Sequence, residues 1–283
     1  MGIELQKKRV LITGCSPGSI GEALAQEFLN RDDFVVCVTS LPGEELKELE
    51  ALGAVPFPVD VTSTDSVKAL KDAVVEDLGD ELDVLINCAG MNYVMPALDV
   101  DVEELKRIFD VNLFGTVRVT QAFSTPLINR KGVIVNVGSL AAYAPYVFGS
   151  SYNASKAALL AFGNTLRIEL SPWSVRVMTI IAGPIVSGLM TRKERSLPSD
   201  SRYQPIAEAF DQRTTHAKHG FQAMPTKEFA QSIVKQVLRS KPPRSYWIGP
   251  FKGVVWLLET LGLASAWNWF FRRKFQLWKL DQH

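Results

Sequence analysis

Tyr152 and Lys156 stand four residues apart, a spacing that suits proton transfer to or from a carbonyl oxygen. On a helix, residues four apart share one face. The phenol has an unperturbed pKa of about 10, and a nearby ammonium lowers that pKa by favouring the phenolate. Helices also carry such pairs by chance, with the tyrosine half-buried and the lysine solvated, so the pair needs support from elsewhere in the chain.

Two polar residues upstream add to this pair. Ser139 closes an apolar stretch, residues 132–137, that predicts a buried strand. Its hydroxyl is therefore expected at a strand's C-terminal edge, where ligands bind in open α/β sheets and where it can hold a substrate oxygen. Asn112 lies further back, and the four residues together form a proton-handling set suited to carbonyl chemistry.

A glycine-rich loop near the N-terminus supports this interpretation. Residues 8–13 predict a first strand, residues 14–21 carry Gly14, Gly18 and Gly21, and residues 22–30 follow a helical pattern. Strand, glycine loop and helix N-terminus form a pyrophosphate site, because glycines let the backbone approach the anion and the free N–H groups favour negative charge. The sequence therefore predicts a dinucleotide site beside the proton-handling set.

These motifs, in this order, resemble the short-chain dehydrogenase/reductase family over nearly the whole chain. The family pattern Thr-Gly-x-x-x-Gly-x-Gly is matched by Thr13, Gly14 and Gly18, with Gly21 one residue later than usual. The resemblance implies a Rossmann-type α/β fold, a doubly wound parallel sheet in one domain. Composition agrees, since 283 residues that are 47% hydrophobic can bury one large core and strand-like runs alternate with amphipathic helices.

The resemblance also implies roles for individual residues. Tyr152 would give a proton to the developing alkoxide while Ser139 hydrogen-bonds the same oxygen. Lys156 would lower the Tyr152 pKa and hold the nicotinamide ribose, and Asn112 would keep a water in place for a proton relay. The reaction implied is hydride transfer between a nicotinamide and a carbonyl carbon.

Further family landmarks mark the expected cofactor contacts. Asp60 ends the third strand, where the adenine ring is expected. Residues 87–90 follow the fourth strand. Residues 182–187 resemble the segment that faces the nicotinamide. The expected cofactor-binding residues are Gly14, Ser16, Gly18, Ser19, Ile20, Gly21, Ser40, Asp60, Val61, Asn87, Ala89, Gly90, Tyr152, Lys156, Gly183, Ile185 and Ser187.

Two departures from the family pattern bear on the cofactor. The glycine loop holds one extra residue, so either Ser16 or Ser19 donates to a phosphate or the insertion is neutral. No carboxylate ends the second strand, residues 34–40, to bind the ribose 2′-hydroxyl of NAD. Because no arginine replaces it, the prediction of NADP(H) rests on the missing repulsion and on Ser40 as a phosphate donor.

Charge and cysteine content exclude several other classes. The net charge is +1 and no basic stripe is present, which argues against nucleic acid as a partner. Cys15, Cys37 and Cys88 are odd in number and are interpreted as reduced thiols, not as a disulfide framework or a metal site. Residues 1–8 are charged and lack the apolar run of a secretory signal, so we expect a cytoplasmic protein.

Substrate choice is expected to come from a polar flap, residues 188–224, that is rich in cations. The flap is either a solvated lid or a grip on an anionic head group. Residues 148–158 and 209–225 resemble the corresponding parts of fungal NADPH-dependent acyl-dihydroxyacetone-phosphate reductases. The flap's cations are Arg192, Lys193, Arg195, Arg202, Arg213, His216, Lys218 and His219.

The C-terminal extension, residues 246–283, follows a catalytic domain predicted for residues 1–245. It carries five of the six tryptophans and the basic cluster Arg272-Arg273-Lys274. Its apolar run is too interrupted for a spanning helix, which needs about 20 apolar residues. Two alternatives remain for the extension. It is either an interfacial helix at a membrane surface, such as the endoplasmic reticulum or a lipid droplet, or a segment that packs over the substrate cleft or a subunit interface.

The sequence thus predicts an NADP(H)-dependent reductase of a hydrophobic ketone, assembled as a homodimer or homotetramer. Acyl-dihydroxyacetone phosphate is one candidate substrate, and a fungal polyketide, terpenoid or alkaloid ketone is the alternative. A cofactor-binding scaffold or a non-redox isomerase is a third interpretation, which the intact catalytic set disfavours.

Overall fold

Parallel strands form the centre of the molecule in the computed structural model, which describes residues 7–188, 195–215 and 222–282. Within these residues the sheet has seven strands in the order β3-β2-β1-β4-β5-β6-β7. The strands are β1 (Lys8–Ile12), β2 (Phe34–Ser40), β3 (Val55–Pro58), β4 (Val84–Asn87), β5 (Val133–Val137), β6 (Arg176–Ala182) and β7 (Ser245–Ile248).

Helices cover both faces of this sheet. They are α1 (Ile20–Leu29), α2 (Lys47–Ala51), α3 (Thr64–Leu78), α4 (Val102–Phe109), α5 (Thr116–Ala122), α6 (Ser124–Arg130), α7 (Ser150–Glu169), α8 (Ala207–Thr214), α9 (Thr226–Val237), α10 (Lys252–Thr260) and α11 (Ala266–Lys274). A π-helical segment, Asp110–Gly115, joins α4 to α5. The expected doubly wound α/β fold is confirmed.

The central strands are mostly apolar because helices cover the sheet on both faces. All five residues of β5 are buried, as are six of the seven in β6, because a parallel sheet with helices on both sides has no solvated face. Phe28 of α1 and Phe229 of α9 lie in the core on one face, while Val74 of α3 and Val119 of α5 lie in the core on the other.

The strand order reverses at β1, which pairs with β2 on one side and β4 on the other. In open α/β sheets this switch point opens a crevice at the C-terminal ends of the strands. The loops after β1, β4 and β5 therefore meet at one edge of the sheet.

A third buried cluster covers that same edge and includes the C-terminal extension. Phe148 and Phe210 meet at 5.4 Å between ring centroids, and Phe271 of α11 stacks on Trp267 at 5.4 Å. The predicted division at residue 245 falls inside β7, so the extension proper begins after Ile248. Within the described part of the chain, no helix is long and apolar enough to cross a membrane.

Candidate active site

A single cavity of about 1360 Å³ runs along the C-terminal edge of the sheet, from the glycine loop to the C-terminal extension. Most of the residues predicted for the site line it. These are Gly14, Ser16, Ser19, Ile20, Ser40, Asp60, Val61, Ala89, Gly90, Ser139, Tyr152, Lys156, Gly183, Ile185 and Ser187. Four predicted residues do not line it, namely Gly18, Gly21, Asn87 and Asn112.

Tyr152 reaches the cavity from the first turn of α7, opposite Ser139 at the end of β5. The Ser139 hydroxyl accepts a hydrogen bond of 3.1 Å from the Ala141 N–H, which caps a short 3₁₀ turn and fixes the serine. Burial raises the pKa of Tyr152, and the hydrogen bond with Ser139 and the positive charge of Arg213 oppose that rise. The phenol is therefore a protonated acid at neutral pH.

Lys156 lies one turn after Tyr152 and is buried. Its Nζ donates to the Val137 carbonyl at 2.9 Å and lies 5.7 Å from the centroid of the Tyr152 ring. Burial lowers the pKa of Lys156 to about 8, with the Cys88 thiol opposing this shift. The expected lowering of the Tyr152 pKa is corrected here, because burial of the phenol outweighs the groups that favour its phenolate.

Asn112 sits in the π-helical segment, behind the cavity wall. Its side chain exchanges two hydrogen bonds with the Met91 backbone, accepting from N at 2.8 Å and donating to O at 3.0 Å. It also donates to Ser155 Oγ at 3.0 Å. The wider π turn places the amide between the loop after β4 and α7. Asn112 thus ties two parts of the site together, and its assignment to a water relay stays a prediction.

The glycine loop has the geometry of a phosphate cradle. Gly14 has φ +74°, and a Cβ there would lie 2.7 Å from Ala89 Cα. At Gly21 a Cβ would lie 2.3 Å from the Gly14 carbonyl oxygen, so only glycine lets α1 start this close to β1. Gly21 therefore shapes the loop from behind, which explains why it does not line the cavity.

The backbone at the start of α1 hydrogen-bonds a carboxylate of the protein itself. The Gly18 N–H donates to a Glu22 carboxylate oxygen at 2.7 Å, which is the kind of partner that a helix N-terminus favours. Ser19 caps the helix, accepting from Glu22 N at 3.0 Å and donating to Gly14 O at 3.1 Å. The Ser19 hydroxyl is thus engaged in closing the loop, and the loop fits an anionic group such as a pyrophosphate.

Thr13 connects the glycine loop to the loop after β4. Its Oγ1 accepts from the backbone N–H groups of Cys88 at 3.0 Å and Ala89 at 3.1 Å. The sequence motif includes this threonine, but only the structure shows that its hydroxyl holds the two loops together at the switch point.

Asn87 was expected to contact the cofactor, but it does not line the cavity, and its cofactor contact stays a prediction. Its side chain is buried between β5 and α5, where Nδ2 donates to Asn136 Oδ1 at 3.0 Å and to Thr120 Oγ1 at 3.2 Å. As the last residue of β4 it points into the core, since side chains alternate along a strand. The neighbouring residues from Cys88 onward line the cavity instead.

The surroundings of Ser40, at the end of β2, contain a carboxylate that the strand sequence does not reveal. Ser40 donates to the backbone oxygen of Glu44 at 3.1 Å, and the Glu44 carboxylate accepts from Ser16 Oγ at 2.6 Å. A carboxylate therefore does stand beside this part of the site, supplied by the loop after β2 and not by the strand end. Sequence position alone could not reveal it, because the loop must fold back to bring Glu44 to Ser16.

The segment after β6 closes the far side of the cavity. Gly183 donates to Ile248 O at 2.8 Å, and a Cβ on it would lie 2.3 Å from Pro250 O. Gly188 donates to Gly18 O at 3.1 Å, which joins this segment to the glycine loop. The cavity thus has walls from both ends of the chain.

The C-terminal extension supplies an aromatic wall to the cavity. Trp267 and Phe271 are buried against the third core cluster, and both line the cavity. Sequence reasoning left packing over the cleft as one of two alternatives, and the structure places these two side chains there. Their spacing of four residues on α11 was the signal that could have identified them.

The flap cations divide into distinct groups. Arg195 and Arg213 both line the cavity, whereas Arg202 is exposed. Arg195 pairs with Glu104 at 3.1 Å, and its Cζ lies 4.2 Å from the centroid of the Tyr93 ring. The remaining five, Arg192, Lys193, His216, Lys218 and His219, lie outside the described residues. Cys15, Cys37 and Cys88 are free thiols, and burial raises the pKa of each.

The fold and the site together define an α/β protein of the dinucleotide-binding class, with Ser139, Tyr152 and Lys156 at one cavity. The family model described as short chain dehydrogenase matches residues 8–197, and the chain belongs to this family.

Individual relatives extend this assignment. Short-chain dehydrogenase virD of Hypocrea virens is 41% identical over 278 residues, 97% of this chain and 94% of that protein. An NADPH-dependent 1-acyldihydroxyacetone phosphate reductase of Schizosaccharomyces pombe is 43% identical over 204 residues, 70% of this chain and 69% of that protein. A short-chain dehydrogenase structure from Streptomyces avermitilis has a TM-score of 0.79 at 24% identity, covering 96% of this chain and 99% of that one.

Proposed function

We propose that this protein reduces a hydrophobic ketone to a secondary alcohol at the expense of NADPH. The observation that carries the proposal is the convergence of Ser139, Tyr152 and Lys156 on one cavity that also contains the glycine loop. An acid for the carbonyl oxygen thus lies in the same space as the phosphate cradle, as carbonyl reduction requires.

Each residue of the set has a distinct task in this proposal. Ser139 hydrogen-bonds the substrate oxygen and holds the carbonyl toward Tyr152, which gives its proton to that oxygen as negative charge develops. Lys156 stabilises the resulting phenolate and holds the nicotinamide ribose. Asn112 keeps the loop after β4 against α7 and positions a water that returns a proton toward Lys156. The bound dinucleotide supplies the hydride that adds to the carbonyl carbon.

The directions of the two pKa shifts support the reductive direction. A raised pKa keeps Tyr152 protonated, which is the form that an acid needs. The pKa of Lys156, lowered by burial to about 8, leaves its ammonium mostly charged at neutral pH, ready to stabilise the phenolate.

NADP(H) is the proposed cofactor. The Schizosaccharomyces pombe relative is named as NADPH-dependent, and no carboxylate ends β2 itself. The residues proposed to hold the dinucleotide are those that line the cavity near the loop, with Ser16 and Ser40 toward the 2′-phosphate and Asp60 toward the adenine. The Glu44 carboxylate beside Ser16 opposes a phosphate there, and we expect it to turn away from Ser16 when NADPH binds.

A hydrophobic substrate is favoured by the side chains of the extension. Val255, Leu258, Trp267 and Phe271 line the cavity beyond Tyr152, so a long apolar group can lie against them. Acyl-dihydroxyacetone phosphate fits this description and is the named substrate of the Schizosaccharomyces pombe relative.

The alternative substrate is a fungal polyketide, terpenoid or alkaloid ketone. The alignment with virD spans 278 residues and so includes most of the extension that forms the aromatic wall, whereas 204 residues align with the acyl-dihydroxyacetone-phosphate reductase. The virD alignment thus supports a natural-product ketone because it necessarily covers most of the aromatic wall, and the name of that relative specifies no substrate.

One experiment tests the proposed function directly. The purified protein is mixed with NADPH or NADH and a panel of ketones, including 1-hexadecanoyl-dihydroxyacetone phosphate and neutral polyketide ketones, and cofactor oxidation is followed by absorbance. NADPH consumption with formation of the alcohol supports the proposal. If no ketone consumes either cofactor while NADPH still binds, the protein is a scaffold or isomerase instead.

We also propose that the extension touches a membrane surface, at the endoplasmic reticulum or a lipid droplet. Trp256 and Trp278 are about half exposed, and the extension also exposes Arg273 and Arg272, the latter paired with Asp281. The extension therefore offers both apolar and cationic groups to a lipid surface. Cytoplasmic location and assembly as a homodimer or homotetramer remain predictions from the sequence.

A further inference from the structure

Arg213 is a cation inside the substrate cavity. It lies in the last turn of α8, and its Cζ is 4.5 Å from the centroid of the Tyr146 ring. Its Nε is fully buried and has no hydrogen-bond partner. Among the residues that the structure describes, no carboxylate lies within ion-pair distance of it.

Arg195 differs from Arg213 in having a carboxylate partner within the described part of the chain. Arg195 belongs to the same flap and also stacks on a tyrosine, but it forms an ion pair of 3.1 Å with Glu104. Its charge is therefore compensated within the protein. Arg213 is partly buried and has the aromatic contact without a carboxylate among the described residues, and a cation–π contact replaces only part of the hydration that its guanidinium loses.

The charge of Arg213 acts on the reaction centre. Both Arg213 and Tyr152 line the cavity, and the guanidinium favours the Tyr152 phenolate electrostatically. Burial lowers the pKa of Arg213 while Tyr146 and Tyr152 raise it, and a guanidinium stays protonated in proteins. A permanent positive charge thus faces the space beside the carbonyl that Tyr152 protonates.

The C-terminal extension brings more donors to the same wall. Lys274 of α11 donates to the Tyr146 hydroxyl at 3.4 Å, with its Nζ 5.4 Å from the ring against which Arg213 also lies. The indole N–H of Trp267, which lines the cavity, is buried without a partner. Two distant segments of the chain therefore bring positive charge to the Tyr146 ring, and the same cavity holds a further donor without a partner among the described residues.

We propose that Arg213 binds an anionic group, a phosphate or a carboxylate, that the natural substrate carries within a few bonds of its ketone. The proposal rests on the proposed function and narrows its substrate class. The planar fork of a guanidinium matches two oxygens of either group, and Lys274 adds positive charge to the same subsite. A neutral ketone would give the Arg213 guanidinium no anionic partner in the cavity, so it would be a poorer substrate.

Matched substrates test this proposal. One pair is 1-hexadecanoyl-dihydroxyacetone phosphate and its dephosphorylated form, and the other is 4-oxohexadecanoic acid and its methyl ester. We expect kcat/KM with NADPH to be about 10- to 100-fold higher for the anionic member of at least one pair, mainly through KM, since hydrogen bonds to charged groups are worth roughly that factor. The pair that shows the preference distinguishes phosphate from carboxylate.

Variants assign the preference to Arg213. Arg213→Gln should bring the ratio close to one, Arg213→Lys should keep part of it, and Arg202→Gln, which removes an exposed cation from the same flap, should leave it unchanged. NADPH binding measured for each variant shows that the fold is intact. If Arg213→Gln keeps the preference for anionic substrates, the proposal is overturned. If that variant is less stable but its ratio of kcat/KM values is unchanged, the proposal is also overturned, because Arg213 then only stacks on Tyr146 as a structural contact.

The two proposals fail in distinguishable ways. If neutral ketones are reduced as well as their anionic partners, the anion subsite is wrong and the reductase function stands. If no ketone consumes NADPH, the reductase function is wrong, and quenching of tryptophan fluorescence by 1-hexadecanoyl-dihydroxyacetone phosphate then tests the subsite alone. In that assay Arg213→Gln must weaken binding by about tenfold or more, or the subsite is wrong too.

Discussion

The Glu44 carboxylate accepts a hydrogen bond of 2.6 Å from the hydroxyl of Ser16, which joins the loop after β2 to the glycine loop. Ser40 holds the same loop through the Glu44 backbone oxygen at 3.1 Å. Negative charge thus lies beside the two serines proposed for the 2′-phosphate. We therefore expect the preference between NADPH and NADH to depend on how readily this carboxylate turns away.

Glu44→Gln should therefore raise kcat/KM for NADPH by about three- to tenfold, since two like charges a few ångströms apart repel by roughly 1 kcal/mol even in water. Its effect on NADH should be small. Glu45→Gln is the control, because Glu45 is exposed and pairs with Lys47 at 2.6 Å. Ser40→Asp should act in the opposite direction and narrow or reverse the preference. A wild-type preference for NADH would contradict the cofactor assignment.

Tyr152→Phe should abolish ketone reduction and leave NADPH binding nearly intact. The phenol is proposed to donate the proton, so its loss should lower turnover by more than about 10²-fold. Turnover and NADPH fluorescence titration are measured in parallel. Tyr246→Phe removes a hydroxyl that contacts Ser232 at 2.8 Å, away from the cavity, and should behave like the wild type. Near wild-type turnover in Tyr152→Phe would remove Tyr152 from the reaction.

Lys156 should produce a pH dependence. Its pKa is lowered by burial to about 8, so its positive charge is present below that pH and is lost as the pH rises through it. Because the ammonium stabilises the phenolate that forms when Tyr152 gives up its proton, kcat/KM for reduction should fall above about pH 8.

Lys156→Met should lack this falling limb, turn over more slowly at every pH and bind NADPH more weakly. The pH profile and the NADPH dissociation constant are the measurements. An unchanged profile together with unchanged affinity would show that Lys156 serves neither the phenol nor the ribose.

Gly21→Ala should disturb the phosphate cradle. A Cβ at this position would lie 2.3 Å from the Gly14 carbonyl oxygen, so α1 and the loop must move apart. We expect a loss of about 1–3 kcal/mol in the free energy of unfolding and much weaker NADPH binding. Gly253→Ala is the matched control, since a Cβ there meets nothing within 4 Å and alanine favours its helix, α10. Equal behaviour of the two variants would contradict the close approach at Gly21.

Membrane contact is tested by flotation with vesicles that contain anionic lipid. The double variant Trp256→Ser and Trp278→Ser should bind them several-fold more weakly, because these side chains are 51% and 52% exposed and would supply apolar contact area. Trp173→Ser is the control, since Trp173 is 50% exposed but lies outside the extension. If the wild type stays with the unbound fraction at low salt, the extension serves only as a wall of the cavity.

Local chemistry made much of the site readable from the sequence. The spacing of Tyr152 and Lys156 defines a shared helix face, and Ser139 follows an apolar run that could only be a buried strand. The glycine loop was recognisable because its function depends on backbone geometry that few residue types permit. These features rest on contacts between residues close in the chain.

Tertiary structure decided what depends on distant contacts. Asn87 was expected in the cofactor site but pairs with Asn136 and Thr120 in the core, because its position in the strand turns it inward. The path of one loop brought Glu44 to Ser16, which no pattern in the sequence indicates.

Tertiary structure also decided which arginine has an ion-pair partner and which tryptophans of the extension are buried. Arg195 and Arg213 look alike in the sequence, yet among the described residues Arg195 has a carboxylate partner and Arg213 has none. The tryptophans of the extension are divided into buried Trp267 and exposed Trp256 by the way the last helices pack on the third core cluster. Residue types and spacing determined the chemistry available to this protein, whereas packing between distant segments determined which of those residues face the cavity.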